Sequence, residues 1–293
     1  MHFSEGSYWR PLFETDMTMV QVASGCSHNR CRFCDMYHKP FVASPMEEIE
    51  ADIDEIARMY VKQPKRIFLT GGNAFCLPAK TLLACADAIH EKLPECESIG
   101  CFARITDIAR KSDEDLKALA EAGFTMLSIG AESGSDEALA AMDKGYKAAD
   151  IVEQCTRLDE AGLSYALFYL AGIAGAGRGI ENARKTAEVF GQTNPEILMI
   201  HTMTPFPGTL LSQDIADGVF KPESEKEIQQ ELREFYALFP KKAFVLAAHF
   251  GNTVNFNANL PEDRDAILKL MDERIALDDE KRLAYARAHM RSI

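Results

Sequence analysis

No run of eighteen apolar residues occurs in the chain, so a membrane-spanning helix is not expected. The opening segment Met1 to Arg10 is polar and aromatic and lacks the apolar core of a secretory signal. The eight cysteines therefore read as reduced thiols of a cytoplasmic protein. Positive charge is short: 32 Lys and Arg stand against 45 Asp and Glu, a net charge of −13. Phosphate binding generally needs a basic face, so nucleic acid is not an expected partner. The small basic group Lys62, Lys65 and Arg66 reads as solvated residues ahead of a strand. Low-complexity linkers and repeat periods are also missing, which argues against a solenoid. What remains is 293 residues at 47% hydrophobic and 26% charged. That is an ordinary globular balance, enough for one sizeable domain with an extension.

Cysteine is the residue whose distribution is not ordinary. Cys26, Cys31 and Cys34 fall within nine residues, in Gly25-Cys26-Ser27-His28-Asn29-Arg30-Cys31-Arg32-Phe33-Cys34. Three thiolates on one loop can hold a metal or an iron–sulfur cluster, and they are one fewer than a closed four-coordinate site needs. A disulfide would use two and strand the third. Structural zinc would need a fourth ligand, from His28 or His38. Phe33 favours a cluster, because an aromatic face beside it can stack on a planar base. Cys85, Cys96 and Cys155 read as packing, and their spacing matches no second ferredoxin-type cluster. Cys76 and Cys101 lie near expected strand ends, where buried cysteine is more often a plain hydrophobe.

The middle of the chain alternates strand-like and helix-like segments. Strands are expected at Met17–Ser24, Arg66–Thr70, Ser98–Ala103, Thr125–Gly130, Ser164–Ala171 and Glu196–Thr204. Between them the pattern predicts helices. One begins at the capping box Ser44-Pro45-Met46-Glu47 and puts Ile49, Ile53, Ile56 and Tyr60 on one face. Another begins at Ser112–Asp115 and stops at Gly123. Others cover Pro78–Lys92, Ser135–Met142, Ala148–Ala161 and Ile180–Phe190. Six strand–helix units imply an α/β protein with a parallel sheet, a partial (β/α)6 TIM-type barrel, being too few for eight. From Phe206 the alternation fades. Phe244–Phe250 and Asn252–Phe256 read as short strands and Pro261–Arg291 as mainly helical, an α+β extension covering the open side of the barrel.

In parallel α/β folds, ligand groups collect at the C-terminal ends of the strands. That rule selects the cysteine loop, then Gly71, Gly72 and Asn73, then Arg104 and Thr106, then Glu132 and Ser133, then Gly172 to Arg178, then Thr204 to Gly208. Glycine suits a place where backbone must approach a ligand closely. Glu132 also fits the simpler reading of an acid favoured at a helix N-terminus. His201 reads as a satisfied core histidine, while His249, Asn252 and Asn255 are candidates to line the substrate side.

The cysteine loop resembles the cluster-binding loop of the radical S-adenosylmethionine (SAM) superfamily. It has four residues, not the commoner three, between the first two cysteines. The resemblance implies that Cys26, Cys31 and Cys34 ligate three irons of a [4Fe–4S] cluster. The fourth iron is left to the amino and carboxylate groups of SAM, with Phe33 near the adenine. Thr70-Gly71-Gly72-Asn73 resembles the glycine-rich motif that contacts the methionyl amine, with Asn73 where the family usually has an acid. Ile129 to Ser135, continuing through Met142, Lys144 and Gly145, resembles the fourth-strand motif of one branch. That branch holds methylthiotransferases, oxygen-independent coproporphyrinogen dehydrogenases and Elongator-type enzymes. Glu132 would then bind SAM, with Ser133 beside it, and Arg178 or Arg104 would pair with the SAM carboxylate. Pro205 to Thr209 resembles the sixth-strand exit of the same branch, which implies a part in shaping the adenine pocket, and it reads equally well as a rigid turn.

The resemblance runs from about Tyr8 to Thr209. It gives a barrel over 1–209, with a lead-in at 1–16, and an extension over 210–293. Only 25 residues precede Cys26, so a compact stand-alone member is expected. By analogy the reduced cluster cleaves SAM to methionine and a 5′-deoxyadenosyl radical, which takes a hydrogen atom from a small-molecule substrate. A one-electron donor such as flavodoxin or ferredoxin is implied. No side chain is singled out as a catalytic acid or base. Two other readings stand beside this one: a haem or cofactor carrier on the same scaffold, and a zinc-stabilised binding module.

Overall fold

The computed structural model describes residues 1–3, 8–37, 39–59 and 61–290. In chain order its elements are β1 (Thr18–Gln21), β2 (Ala23–Ser24), β3 (Val42–Ala43), α1 (Met46–Met59), β4 (Arg66–Thr70), α2 (Ala79–Lys92) and β5 (Ser98–Ala103). Next come α3 (Ile105–Ile108), α4 (Asp113–Glu121), β6 (Leu127–Glu132), α5 (Asp136–Ala141), α6 (Ala148–Ala161), β7 (Tyr165–Ala171), α7 (Gly179–Phe190) and β8 (Ile197–Thr202). The extension holds α8 (Leu210–Ala216), α9 (Glu225–Leu238), β9 (Ala243–Leu246), β10 (Asn257–Leu260), α10 (Arg264–Leu277) and α11 (Glu280–Ala288). The fold is α/β with mostly parallel pairing. Among the described residues no helix is long and apolar enough to cross a membrane.

The chain divides into two compact units. The first comprises Met1–Asn29, Met36–Gly130 and Thr156–Tyr165. Its strands run in the order β1, β4, β5, β6, all parallel. Ile67, Phe68, Leu69 and Thr70 of β4 are all buried, as expected of a parallel strand covered on both faces. α1 turns Ile49, Ile53 and Ile56 into this core. Tyr60, expected on the same face, lies outside the described residues, as do His38 and Arg291. Ser112 and Asp115 close the capping box that starts α4, and Gly123 at φ +87° ends it. The expected strand Met17–Ser24 is two strands. It breaks at Val22, and Ala23 and Ser24 pair instead with Ala43 and Val42 of β3. The basic group ahead of β4 is not a free patch. Lys65 pairs with Glu97 at 2.8 Å, and Arg66 reaches back to the buried Glu14.

The second unit comprises Arg30–Asp35, Ala131–Cys155 and Ala166–Ile293. β7 and β8 pair in parallel, with Leu167 opposite Leu198. The expectation that alternation ends at Phe206 needs correction. α8 and α9 lead into β9, which joins β8 in parallel, with Leu198 opposite Val245. β10 then pairs antiparallel with β9. The strand expected at Asn252–Phe256 is a turn. Asn252 fixes it by donating to the Ile200 and Ala247 carbonyls at 2.7 and 2.8 Å, and the strand begins five residues later, at Asn257. The core of this unit is aromatic. Tyr169, Phe190 and Phe235 meet edge to face or tilted, the closest centroids 4.7 Å apart.

Candidate cofactor site

In the first unit the site is built from backbone. Gly25 follows β2 at φ +68°, and a side chain there would meet the Lys39 and Pro40 carbonyl oxygens at 2.6 and 2.7 Å. Glycine alone lets the chain turn into Cys26. Gly72 follows β4 and lies against Cys26. A Cβ on Gly72 would stand 2.6 Å from the Cys26 Cβ and 2.6 Å from the Gly25 oxygen. The bare backbone instead donates its N–H to that oxygen at 2.8 Å. Gly72 is therefore a floor for the first cysteine, while Gly71 lies against Ala23.

Asn73 is buried and fully engaged. Its Oδ1 accepts the Ser27 N–H at 2.9 Å, and its Nδ2 donates to Ser27 Oγ at 2.7 Å and to Asp107 Oδ2 at 2.8 Å. Asp107 also accepts the Arg104 N–H at 2.9 Å. The amide is thus what this neighbourhood requires, because an ionised acid at 73 would bring Asp107 no donor. Burial pushes the Asp107 carboxyl up, and the bonds from Asn73 and Arg104 hold it back. The Arg104 guanidinium donates to Thr106 Oγ1 at 3.0 Å. Lys111, a buried cation, donates to the Phe75 and Leu77 carbonyls at 2.6 and 3.0 Å. Burial lowers its pKa. The sequence reading missed Asp107 and Lys111. The signal for Asp107 was its place three residues after Arg104, at the start of α3. Burial, then the nearby Asp107 charge, pushes the Cys76 thiol up to about 11. Burial also raises Cys101. Both stay protonated near neutrality, as packing residues do.

In the second unit, Cys34 donates its N–H to the Cys31 carbonyl at 3.1 Å, so these two thiols share one turn. Arg32, between them, anchors that turn. Its N–H donates to the Met142 carbonyl at 3.2 Å and its own carbonyl accepts from Leu211 at 2.7 Å. Its guanidinium grips Asp214 with two bonds of 2.6 and 2.5 Å, which holds that carboxyl low. Arg32 and Asp214 were not among the expected site residues. Phe33 packs on a cluster containing Met142, Ile173, Met203 and Leu211.

Lys144 is buried, with its ammonium 5.6 Å from the Phe33 ring centre. It pairs with Glu132 Oε1 at 3.1 Å. Glu132 itself has φ +65°. That left-handed conformation costs a non-glycine residue about 1 kcal/mol, and at a strand end it turns the carboxylate toward the lysine. Ser133 is buried and donates to Asn182 Oδ1 at 2.5 Å. Arg178 is exposed and directly precedes α7, with no side-chain bond to cap it. His201 stacks on His249 with centroids 4.3 Å apart. Its Nε2 meets no hydrogen-bond partner among the described residues, so the reading of a satisfied histidine is corrected. Burial takes the His201 imidazole down to about 3 and lowers His249 too. His249 accepts the Gly251 N–H at 3.1 Å, and Asn255 donates to the Asn252 carbonyl at 3.1 Å.

None of the eight cysteines is in a disulfide. Cys26 belongs to the first unit, Cys31 and Cys34 to the second. Among the described residues no three His, Cys, Asp or Glu side chains are gathered closely enough to hold a metal ion. The donor chemistry fits an iron–sulfur cluster: three soft thiols on one loop, the first seated on a glycine whose Cβ would displace it.

A mostly parallel α/β fold gathers its ligand groups at the strand exits, and a loop of three thiols there has the donors that an iron–sulfur cluster takes. The chain belongs to the radical SAM superfamily. That family model matches residues 20–188, more than half of the sequence. The superfamily binds a [4Fe–4S] cluster and SAM. The chain is 31% identical over 143 residues to the heme chaperone HemW of Bacillus subtilis, a match covering 47% of this chain and 37% of that protein. It therefore spans little more than a third of the length of the curated relatives it matches. Methylornithine synthase (PylB) superposes with a TM-score of 0.56 at 17% identity, covering 87% of this chain and 68% of its own. Coproporphyrinogen III oxidase (HemN) of Escherichia coli, a radical SAM enzyme, gives 0.56 at 16% identity, covering 75% and 51%. At such identities the likeness is one of fold.

Proposed function

We propose that this chain is a radical SAM enzyme acting on a small molecule. Cys26, Cys31 and Cys34 hold the [4Fe–4S] cluster. When bound, the cluster and SAM together supply reductive cleavage of the sulfonium and a 5′-deoxyadenosyl radical for hydrogen abstraction. The protein's own part is to hold and shield. Gly72 seats Cys26, Arg32 pins the turn between Cys31 and Cys34, and Phe33 offers its ring to the adenine. Glu132, released from Lys144, is the candidate partner for the SAM amine or ribose, and Lys144 is then a cation for the carboxylate alongside Arg104 or Arg178. A one-electron donor of the flavodoxin or ferredoxin type serves the cluster. The contact between Gly72 and Cys26 carries the reading, because it gives the first thiol a seat that tolerates no side chain.

The test is anaerobic reconstitution with iron and sulfide, then dithionite and SAM. Formation of 5′-deoxyadenosine above a Cys34→Ala control supports the proposal. The name of the HemW relatives favours one second reading, a haem carrier on the same scaffold. Tight haem binding with no SAM cleavage selects it. One zinc per chain with no iron or sulfide refutes both.

A further inference from the structure

The cofactor-binding motif after β6 and the glycine-rich loop after β7 share one buried support. Glu231 sits on α9, well beyond the family-matched residues 20–188. It is fully buried. Its Oε1 accepts from Tyr169 Oη at 2.6 Å and from Asn182 Nδ2 at 2.6 Å, and its Oε2 accepts the Gly172 N–H at 2.7 Å. Gly172 is the first residue after β7, at φ +86°. Asn182 carries the chain of bonds onward, since its Oδ1 accepts from Ser133 Oγ, which in turn accepts the Ser135 N–H at 2.9 Å. Gly134 is pressed onto α7: a Cβ there would lie 2.5 Å from the Lys185 carbonyl oxygen, and its N–H donates to Thr186 Oγ1 at 2.9 Å. Glu132 is therefore followed directly by two residues whose positions are set by α7 and α9.

We infer that Glu231 is a positioning residue that fixes the exits of β6 and β7 for cofactor binding. The inference rests on the radical SAM reading above. A carboxylate suits the task because one group must accept from three donors, on β7, at its exit and on α7. A glutamine could not, since its amide nitrogen would face a donor. The nearby Glu223 presses against the backbone of Gly179, where a Cβ would clash with its carboxylate. Its two oxygens meet no hydrogen-bond partner among the described residues, and burial together with the Glu231 charge pushes its carboxyl up. Burial pushes the Glu231 carboxyl up, and the three bonds from Tyr169, Asn182 and Gly172 hold it back.

The experiment compares wild type with Glu231→Gln on the full chain. After reconstitution the iron content is expected to be unchanged, while the dissociation constant for SAM rises about tenfold, the loss of one hydrogen bond to a charged group. In the protein without SAM, amide exchange is expected to speed up at 132–135 and 172–178 and to stay constant in β4 and β5. SAM affinity within twofold of wild type, or exchange unchanged in both loops, overturns the inference. If Glu231→Gln does not fold, Tyr169→Phe takes its place, with a rise of about threefold in the constant expected and no rise refuting. A wild type that binds no SAM defeats the radical SAM reading, while the exchange comparison still decides whether Glu231 holds the two loops.

Discussion

Replacing Gly72 by alanine tests the cluster assignment at its most constrained point. The added methyl would lie 2.6 Å from the Cys26 Cβ, 2.6 Å from the Gly25 oxygen and 2.8 Å from the Cys26 Cα. Ordinary contact begins near 3.4 Å, so the loop must retreat by roughly 1 Å. Two of the three obstructing atoms are backbone, so no rotamer change relieves them. Overpacking of this kind costs about 1–3 kcal/mol, and the Gly72 N–H would also lose its 2.8 Å bond to Gly25. The retreat moves the very residue that must coordinate iron. The expected result is lower stability in urea and less than half the wild-type iron after anaerobic reconstitution. Gly162→Ala is the control. Gly162 is also left-handed, at φ +79°, but nothing lies within 4 Å of an added Cβ. That variant should lose about 1 kcal/mol from backbone strain alone and load iron normally. Full iron loading by Gly72→Ala, with Gly162→Ala equally unstable, would refute the reasoning.

Asn73→Asp places a second carboxylate against the buried Asp107 and removes both Nδ2 bonds. A loss of about 3 kcal/mol is expected at pH 7, smaller at pH 5, where the introduced carboxyl, once protonated, can donate again; urea unfolding at the two pH values decides it. Burial, then Glu231 and Glu227 on α9, push the Glu223 carboxyl up to about 9, opposed by Arg178 before α7 and with Tyr169 of β7 nearby. The folded chain therefore keeps a proton that the unfolded chain releases near 4.5, so stability falls as pH rises from about 4.5 to about 9 and levels above. Glu223→Gln removes the titrating group and should flatten that slope and raise the melting temperature at pH 9; calorimetry showing parallel slopes would contradict it. Glu14→Ala strands the Arg66 guanidinium that now holds it at 3.0 Å. It should cost about 3–5 kcal/mol, against which a urea midpoint unchanged within error would count.

Much of the parallel frame was legible because its signals are local. β4 and β5 carry short apolar runs bounded by turn residues, and they lie where the sequence puts them, at Arg66–Thr70 and Ser98–Ala103. The Ser112 capping box is equally local, since both of its bonds close within four residues. β9 was harder to read. Its four residues look like an isolated short strand, and its parallel partner β8 is set by α8 and α9 between them rather than by its own composition. The break at Val22 was invisible for the same reason: Ala23 and Ser24 leave the first strand only because β3 offers them a partner.

The candidate site divides along the same line. The cysteines, Gly72 and Glu132 could be picked out because each sits in a short motif at a strand exit. Their supports could not, because those are long-range. Asp107 meets Asn73 from 34 positions away, Asp214 meets Arg32 from 182, and Glu231 meets Asn182 from 49. A buried acid on a helix has no sequence signature apart from the donors that gather round it, and these come from elsewhere in the chain. The same fact explains Asn73. In sequence it looks like a lost acid. In the fold its amide serves Ser27 as donor and acceptor while donating to Asp107, which a carboxylate could not do. An asparagine at that position therefore holds the cysteine loop through both the backbone and the side chain of Ser27.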